Sequence, residues 1–242
     1  MRLADRVALI TGASRGIGAS VARRFAAEGA HVILVARSVE DLEKLDDDIQ
    51  SAGGSATLVP MDLMEWSTID GLAAPIAERW GKLDILVGNA AILGRISPMG
   101  HFPPDMWEQV FKLNVHANWR LIRALDPLLR ASPAGRAMFV TSGITRNLQP
   151  YWGAYSASKA ALEAMALTYA AEVAKTNLRV NLINPGPTRT EMRALAFPGE
   201  DPETLPAPEQ LTEAFVAIAE AGFDGHGLWV PADQWPADAA VH

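Results

Sequence analysis

Short runs of apolar residues alternate with longer amphipathic segments along most of the chain. The runs lack polar alternation, which is typical of strands buried on both faces of a parallel sheet. They predict strands over residues 7–10, 31–35, 57–61, 83–87, 137–140, 178–183 and 227–230. The intervening segments predict a helix ending near residue 28 and further helices over residues 39–52, 67–80, 104–131, 155–176 and 208–221, with a kink at Pro127.

Strands that alternate with helices through right-handed crossovers predict an α/β fold. We expect a single-domain, Rossmann-type, doubly wound parallel sheet of about seven strands with helices on both faces. One domain over residues 1–242 is the simplest account, because the sequence has no internal repeat and no interdomain linker. Residues 193–208 predict a short lid, and residues 236–242 predict a loose tail.

Composition narrows the functional classes. The chain has 242 residues, of which 49% are hydrophobic and 20% charged, which is enough apolar material for a large core. A net charge of −7 argues against nucleic acid as a partner, and the lack of cysteine excludes disulfides and thiolate metal sites. No metal is predicted. No apolar run reaches the roughly 18 residues of a membrane span, so we expect a cytoplasmic protein without a membrane partner.

A glycine-rich turn links the first predicted strand to the following helix. Its G-x-x-x-G-x-G spacing is a variant of the dinucleotide-binding fingerprint, in the strand–helix context that the fingerprint requires. Glycines let the backbone approach a pyrophosphate closely, and the helix N-terminus offers unpaired N–H groups. The candidate residues are Gly12, Ser14, Arg15, Gly16, Ile17 and Gly18. The alternative is a tight turn without a ligand.

The end of the second strand bears on the choice of dinucleotide. NAD sites usually carry an acid near this point to bind the ribose 2′-hydroxyl. Here Ala36 is followed by Arg37, and Arg15 projects from the glycine turn. Two guanidinium groups suit a 2′-phosphate, so the sequence predicts NADP(H), with NAD(H) as the alternative. The other interpretation is that both arginines are surface residues without a role in ligand binding.

Two further turns follow predicted strands and are candidates for cofactor contact. Asp62 and Leu63 lie where the adenine would rest, and Asp62 either accepts from the adenine amino group or caps the next helix. Asn89, Ala90 and Ala91 end the fourth strand, where small residues let a ribose pass close to the backbone.

Tyr155 and Lys159 are the strongest candidates for chemistry. Residues four apart in a helix lie on one face, so the ammonium is expected next to the phenol and to lower its pKa. Ser142 ends the fifth strand, where its hydroxyl can hydrogen-bond a substrate carbonyl oxygen. Asn114 lies in an apolar stretch of the long helix, which indicates a buried polar group with a structural or proton-relay role.

The ordered motifs resemble the short-chain dehydrogenase/reductase family over roughly residues 4–192. They are T-G-x-x-x-G-I-G, N-A after the fourth strand, N-V in the long helix, S before Y-x-x-x-K, and N-P-G-P-T-R-T after the sixth strand. The resemblance implies a tetrad of Asn114, Ser142, Tyr155 and Lys159. In it the tyrosine is the general acid/base and the serine positions the carbonyl. The lysine binds the nicotinamide ribose and lowers the tyrosine pKa, and the asparagine holds a relay water.

The resemblance also implies the remaining contacts and the reaction. Pro185, Gly186, Thr188 and Thr190 are expected to contact the nicotinamide amide and the phosphates. The implied activity is NADP(H)-dependent interconversion of an alcohol and a ketone or aldehyde by hydride transfer. The alternative is a catalytically silent dinucleotide-binding sensor or interaction protein. A C=C reductase is disfavoured by the Y-x-x-x-K spacing.

Assembly and the substrate pocket are the least specified features. Helices over residues 104–131 and 153–176 resemble those that pair subunits in family tetramers, so a homodimer or homotetramer is expected. The alternative is that their apolar faces only cover the sheet.

Ala91 replaces the family's glycine, which is tolerable if the φ angle of Ala91 is negative. Segments 92–102, 143–152 and 193–206 should frame the pocket, where Arg146 and Arg193 either meet an anion or face water. Its predicted apolar residues are Leu93, Ile96, Phe102, Ile144, Leu148, Tyr151, Trp152, Leu195 and Phe197.

Overall fold

A seven-stranded parallel sheet forms the centre of the structure, a computed structural model that describes residues 1–235. Its strands are β1 (Val7–Thr11), β2 (His31–Ala36), β3 (Ser55–Pro60), β4 (Ile85–Gly88), β5 (Arg136–Val140), β6 (Arg179–Asn184) and β7 (Trp229–Pro231). The order is β3-β2-β1-β4-β5-β6-β7, and every neighbouring pair is parallel. The order reverses between β1 and β4, so a crevice opens there at the carboxyl ends of the strands. The predicted doubly wound sheet is confirmed.

Helices cover both faces of the sheet. They are α1 (Gly16–Ala27), α2 (Val39–Ser51), α3 (Trp66–Asp70), α4 (Ala73–Trp80), α5 (Pro104–Phe111), α6 (Asn118–Ala131), α7 (Gly153–Val173), α8 (Glu191–Ala196) and α9 (Thr212–Ala219). Successive strand residues point to opposite faces, which is why one core holds Ile10 with α1, α2 and α9. The other core holds Leu9 with α3, α4, α6 and α7. None of the helices in the described part of the chain is long and apolar enough to span a bilayer.

Two predicted helices are interrupted. The helix predicted over residues 67–80 is divided into α3 and α4 by Gly71 and Leu72, because glycine is a poor helix former. The helix predicted over residues 104–131 contains a π-helical segment, Lys112–Ala117, between α5 and α6. Pro127 lies inside α6, which nevertheless continues to Ala131.

The C-terminal third differs most from the prediction. The predicted lid, residues 193–208, begins inside α8, whose first turn is capped by Thr190 Oγ1 accepting from the Arg193 N–H at 3.2 Å. A 3₁₀ turn, Pro202–Thr204, follows, and another, Pro208–Leu211, replaces the predicted start of α9. The predicted tail over residues 236–242 lies outside the described residues.

Candidate active site

The carboxyl ends of the central strands open into a cleft of about 1280 Å³. Eighteen predicted site residues line it: Gly12, Ser14, Arg15, Gly16, Ile17, Arg37, Asp62, Leu63, Asn89, Ala90, Ala91, Ser142, Tyr155, Lys159, Pro185, Gly186, Thr188 and Thr190. Gly18 and Asn114 lie behind the surface of the cleft. The sheet therefore brings residues from six strand ends, those of β1 to β6, which are far apart in sequence, to one place.

The glycine turn is held in a shape that larger residues would disrupt. Gly12 and Gly16 have φ angles of +64° and +55°, in the left-handed region that favours glycine. A Cβ atom at Gly18 would lie 2.2 Å from the Gly12 carbonyl oxygen and 2.6 Å from Asn89 Nδ2. Gly18 therefore acts by letting α1 pack directly under the turn.

Thr11 and Asn89 join the glycine turn to the end of β4. Asn89 Nδ2 donates to the carbonyl oxygens of Thr11, at 2.8 Å, and Gly12, at 3.3 Å. Thr11 Oγ1 accepts from the backbone N–H groups of Asn89, at 3.0 Å, and Ala90, at 3.1 Å. Ala91 is not among the described non-glycine residues with positive φ, so its methyl group brings no backbone strain.

The residues expected at the adenosine end have different surroundings. Arg37 is exposed at the end of β2 and faces the cleft. Arg15 forms an ion pair with Glu191 of α8, and both side chains are largely exposed. Such exposed pairs contribute only about 0–1 kcal/mol, so a phosphate can compete for Arg15. Asp62 Oδ1 accepts from the Met64 N–H at 2.9 Å in a local turn, while α3 begins at Trp66 without a side-chain cap, so Asp62 does not cap that helix and its adenine contact stays a prediction.

Tyr155 lies in the first turn of α7 with 9% of its surface exposed. Burial raises its pKa to about 12, although the neighbouring Ser142 hydroxyl acts to lower the pKa. The sequence predicted a lowered pKa, so this part of the prediction was wrong: desolvation outweighs the stabilising groups. Lys159 lies on the same helix face, with Nζ 5.7 Å from the centre of the Tyr155 ring. Its Nζ donates to the Val140 carbonyl oxygen at 2.7 Å.

Glu163 is a buried neighbour of Lys159 that the sequence reasoning missed. Burial lowers the Lys159 pKa to about 8, while the Glu163 carboxylate acts to raise that pKa. Glu163 Oε1 accepts from Thr141 Oγ1 at 2.6 Å, Thr145 Oγ1 at 2.8 Å and Trp229 Nε1 at 2.9 Å. The two threonines flank Ser142, so Glu163 also fixes the loop that carries it. In the sequence, Glu163 could have been identified from its position four residues, or one helical turn, after Lys159.

Asn114 is fully buried in the π-helical segment. Its Oδ1 accepts from the Ile92 N–H at 2.9 Å, and its Nδ2 donates to the Ile92 carbonyl oxygen at 2.9 Å. Nδ2 also donates to Ser158 Oγ at 3.0 Å. The side chain thus ties the loop after β4 to α7. This supports the structural role, and the water-relay role stays a prediction.

The predicted pocket wall is partly correct. Leu93, Ile144, Trp152, Leu195 and Phe197 line the cleft, whereas Ile96, Phe102, Leu148 and Tyr151 do not. Met106, Gln109, Leu113 and Met192 also line it and were missed, because their helix faces had been assigned only to packing or to a loop.

Comparisons with known proteins agree with this geometry. A family model described as short chain dehydrogenase matches residues 6–201. The uncharacterized oxidoreductase YciK of Escherichia coli is 41% identical over 217 residues, which cover 88% of this chain and 86% of YciK. Oxidoreductase UcpA of Salmonella typhimurium is 34% identical over 224 residues, which cover 90% of this chain and 81% of UcpA.

Solved structures extend the likeness to the whole fold. A short chain dehydrogenase from Shigella flexneri in complex with NADP has a TM-score of 0.92 and 38% identity, covering 96% of this chain and 98% of that one. A short chain dehydrogenase from Escherichia coli in complex with NADPH has a TM-score of 0.89 and 38% identity, with the same coverage. Motif order, strand order and these matches agree: the chain belongs to the short-chain dehydrogenase/reductase family.

Proposed function

We propose that the protein is an NADP(H)-dependent oxidoreductase that interconverts an alcohol and a ketone or aldehyde. The observation that carries the proposal is the position of Ser142, Tyr155 and Lys159 in the same cleft as the glycine turn. The NADP and NADPH complexes of two similar structures support the choice of cofactor.

The residues around the glycine turn fit a dinucleotide. Positive φ at Gly12 and Gly16 lets the backbone turn sharply, and without a Cβ atom at these two positions a pyrophosphate can lie close to the turn at the N-terminus of α1. Arg37 and, once released from Glu191, Arg15 would hold a 2′-phosphate through charge-assisted hydrogen bonds. The segment from Pro185 to Thr190 would contact the nicotinamide amide and the phosphates.

Proton transfer is assigned to Tyr155. The bound nicotinamide supplies or accepts the hydride. Because burial raises the Tyr155 pKa to about 12, the phenol is protonated at neutral pH and can donate to a carbonyl oxygen during reduction. Ser142 positions that oxygen, and the Lys159 ammonium stabilises the phenolate that results.

The alternative is a catalytically silent dinucleotide-binding protein, which predicts cofactor binding without turnover. A panel of ketones and aldehydes, followed by NADPH absorbance, separates the two proposals. We expect carbonyl-dependent loss of NADPH with at least one compound class. Tight NADPH binding with no turnover across the panel would instead support the silent protein.

We also propose that the chain forms a homodimer or homotetramer through α6 and α7. Trp119 on α6 and Leu167 on α7 are 48% and 39% exposed, which leaves apolar surface for a second copy. Light scattering at several concentrations tests this proposal, and a strictly monomeric protein would contradict it. The cytoplasmic location stays a prediction.

A further inference from the structure

Aromatic side chains stand next to the phenol in the part of the cleft left for substrate. Trp152 immediately precedes α7, and its ring centre lies 6.0 Å from that of Tyr155 in an edge-to-face arrangement. Phe197 follows α8, and its ring centre lies 5.6 Å from that of Trp152. The same cleft is lined by the aliphatic or thioether side chains of Leu93, Met106, Leu113, Ile144 and Met192 and by the uncharged amides of Gln109, Asn147 and Gln149. A substrate held at Tyr155 therefore meets an apolar wall containing two rings.

The arginines predicted near the substrate already have partners. Arg193 donates from Nε and Nη2 to the two carboxylate oxygens of Glu200, each at 2.6 Å. Its guanidinium carbon also lies 3.8 Å from the centre of the Phe197 ring. Arg146 lies 5.2 Å from the Trp229 ring centre and 3.9 Å from Glu163 Oε2, and it does not line the cleft. A substrate carboxylate would have to displace Glu200 to reach Arg193.

The three pocket-framing segments also carry exposed apolar side chains. The exposed large hydrophobic side chains on these segments are Ile96, Met99, Leu148, Tyr151, Leu195 and Phe197. Leu148 and Leu195 are 72% and 75% exposed. Of these, Leu195 and Phe197 line the cleft, and exposed apolar side chains beside a cleft are typical of a site for an apolar ligand.

From this wall we propose that the site takes an uncharged carbonyl compound with an aromatic or bulky apolar group, and that it discriminates against carboxylated analogues. The inference rests on the proposed function, since it places the carbonyl oxygen at Ser142 and Tyr155. The apolar group packs on Trp152 and Phe197. A carboxylate there loses its hydration without gaining a free cation, which is costly.

The test compares acetophenone with para-acetylbenzoate, which differ by one carboxylate. We measure kcat/KM with NADPH, and we measure binding to the NADP⁺-loaded protein by calorimetry. The neutral ketone is expected to be favoured about tenfold or more in both measurements. Equal or better binding of the carboxylated ketone would overturn the inference.

Substitutions in the wall test its named parts. Trp152→Ala should lower kcat/KM for acetophenone about tenfold or more while NADPH affinity is retained, because Trp152 contributes apolar contact to the substrate. Trp80→Leu, on α4 and outside the cleft, is the matched control and should leave kcat/KM unchanged. An unchanged kcat/KM for acetophenone in Trp152→Ala would contradict the proposed contact between the substrate and this aromatic side chain.

A second substitution should make the site more tolerant of a carboxylate by freeing Arg193. Glu200→Gln removes the carboxylate that holds Arg193. The ratio of kcat/KM for acetophenone to kcat/KM for para-acetylbenzoate should therefore decrease. Glu40→Gln is the control, because it releases Lys44 from a pair of 2.8 Å whose two residues do not line the cleft. Unchanged discrimination in Glu200→Gln would contradict the role given to the Arg193 pair.

The proposed reaction and the proposed substrate preference can be disproved separately by these measurements. If neither ketone is reduced but acetophenone still binds the NADP⁺-loaded protein more tightly, the proposed reaction is wrong and the pocket inference holds. If both ketones are reduced and the carboxylated one is preferred, the reaction holds and the pocket inference is wrong.

Discussion

At the scale of single residues, Lys159 and Glu163 form a buried pair of opposite charge one helical turn apart. Burial disfavours the Lys159 ammonium and lowers its pKa to about 8, and the nearby carboxylate opposes this shift. Arg146 and Lys159 are the cationic side chains that face Glu163. Because the proposed mechanism needs the ammonium, the Glu163 carboxylate should affect the pH range of activity.

Glu163→Gln is expected to shift the alkaline limb of the kcat/KM profile for carbonyl reduction to lower pH. Without the carboxylate, the Lys159 pKa falls further, so the ammonium is lost at a lower pH. Thr145→Val is the control, since it removes one hydrogen bond to Glu163 but leaves the charge. An alkaline limb that stays in place or moves upward in Glu163→Gln would contradict this role.

At the scale of elements, the π-helical segment Lys112–Ala117 is the feature that connects packing to the site. It carries Asn114, whose side chain satisfies both backbone groups of Ile92 on the loop after β4. π-Helical insertions are often found at functional sites. Here the insertion joins the loop after β4 to the helix that carries Tyr155.

Asn114→Leu should lower the free energy of unfolding by about 1–3 kcal/mol, because Ile92 loses its partners. Urea denaturation measures this change. Asn177→Leu, at an exposed position, is the control and should have a much smaller effect. Equal stabilities of the two variants would show that the Asn114 bonds contribute little.

The elements also show what the sequence could and could not predict. Apolar runs and helical periodicity predicted all seven strands, because a sheet covered on both faces needs continuous apolar strands. The π-helical insertion leaves no clear trace, because a single added residue only slightly shifts the apolar periodicity. Glu163 looked like an ordinary helix residue, and only folding brings Thr141, Thr145 and Trp229 to its carboxylate. The Tyr155 pKa was misjudged because burial is not visible from the Y-x-x-x-K spacing.

At the scale of the whole molecule, cofactor binding should stabilise the domain. The cleft is lined by residues at the ends of β1, β2, β3, β4, β5 and β6, so a bound dinucleotide would contact both halves of the sheet. A ligand at 100 times its Kd adds about 2.7 kcal/mol to the free energy of unfolding. The tighter cofactor should therefore give the higher Tm at equal concentration.

NADPH is expected to raise Tm more than NADH does, and Arg37→Asp should remove most of that difference. The introduced carboxylate repels a 2′-phosphate but not a 2′-hydroxyl. Thermal denaturation with each cofactor measures the effect, and Arg95→Asp, outside the cleft lining, controls for the change of charge. Equal losses of NADPH and NADH stabilisation in Arg37→Asp would contradict the 2′-phosphate assignment.

The central claim is that Tyr155 transfers the proton while the nicotinamide transfers the hydride, and one comparison tests it most directly. NADPH consumption with a ketone that the wild-type protein reduces is measured for wild type and Tyr155→Phe, with NADPH binding measured in parallel. We expect turnover to fall by about 10²–10⁴, because a general acid/base typically contributes that much, while NADPH affinity is retained. Near wild-type turnover in Tyr155→Phe would contradict the account.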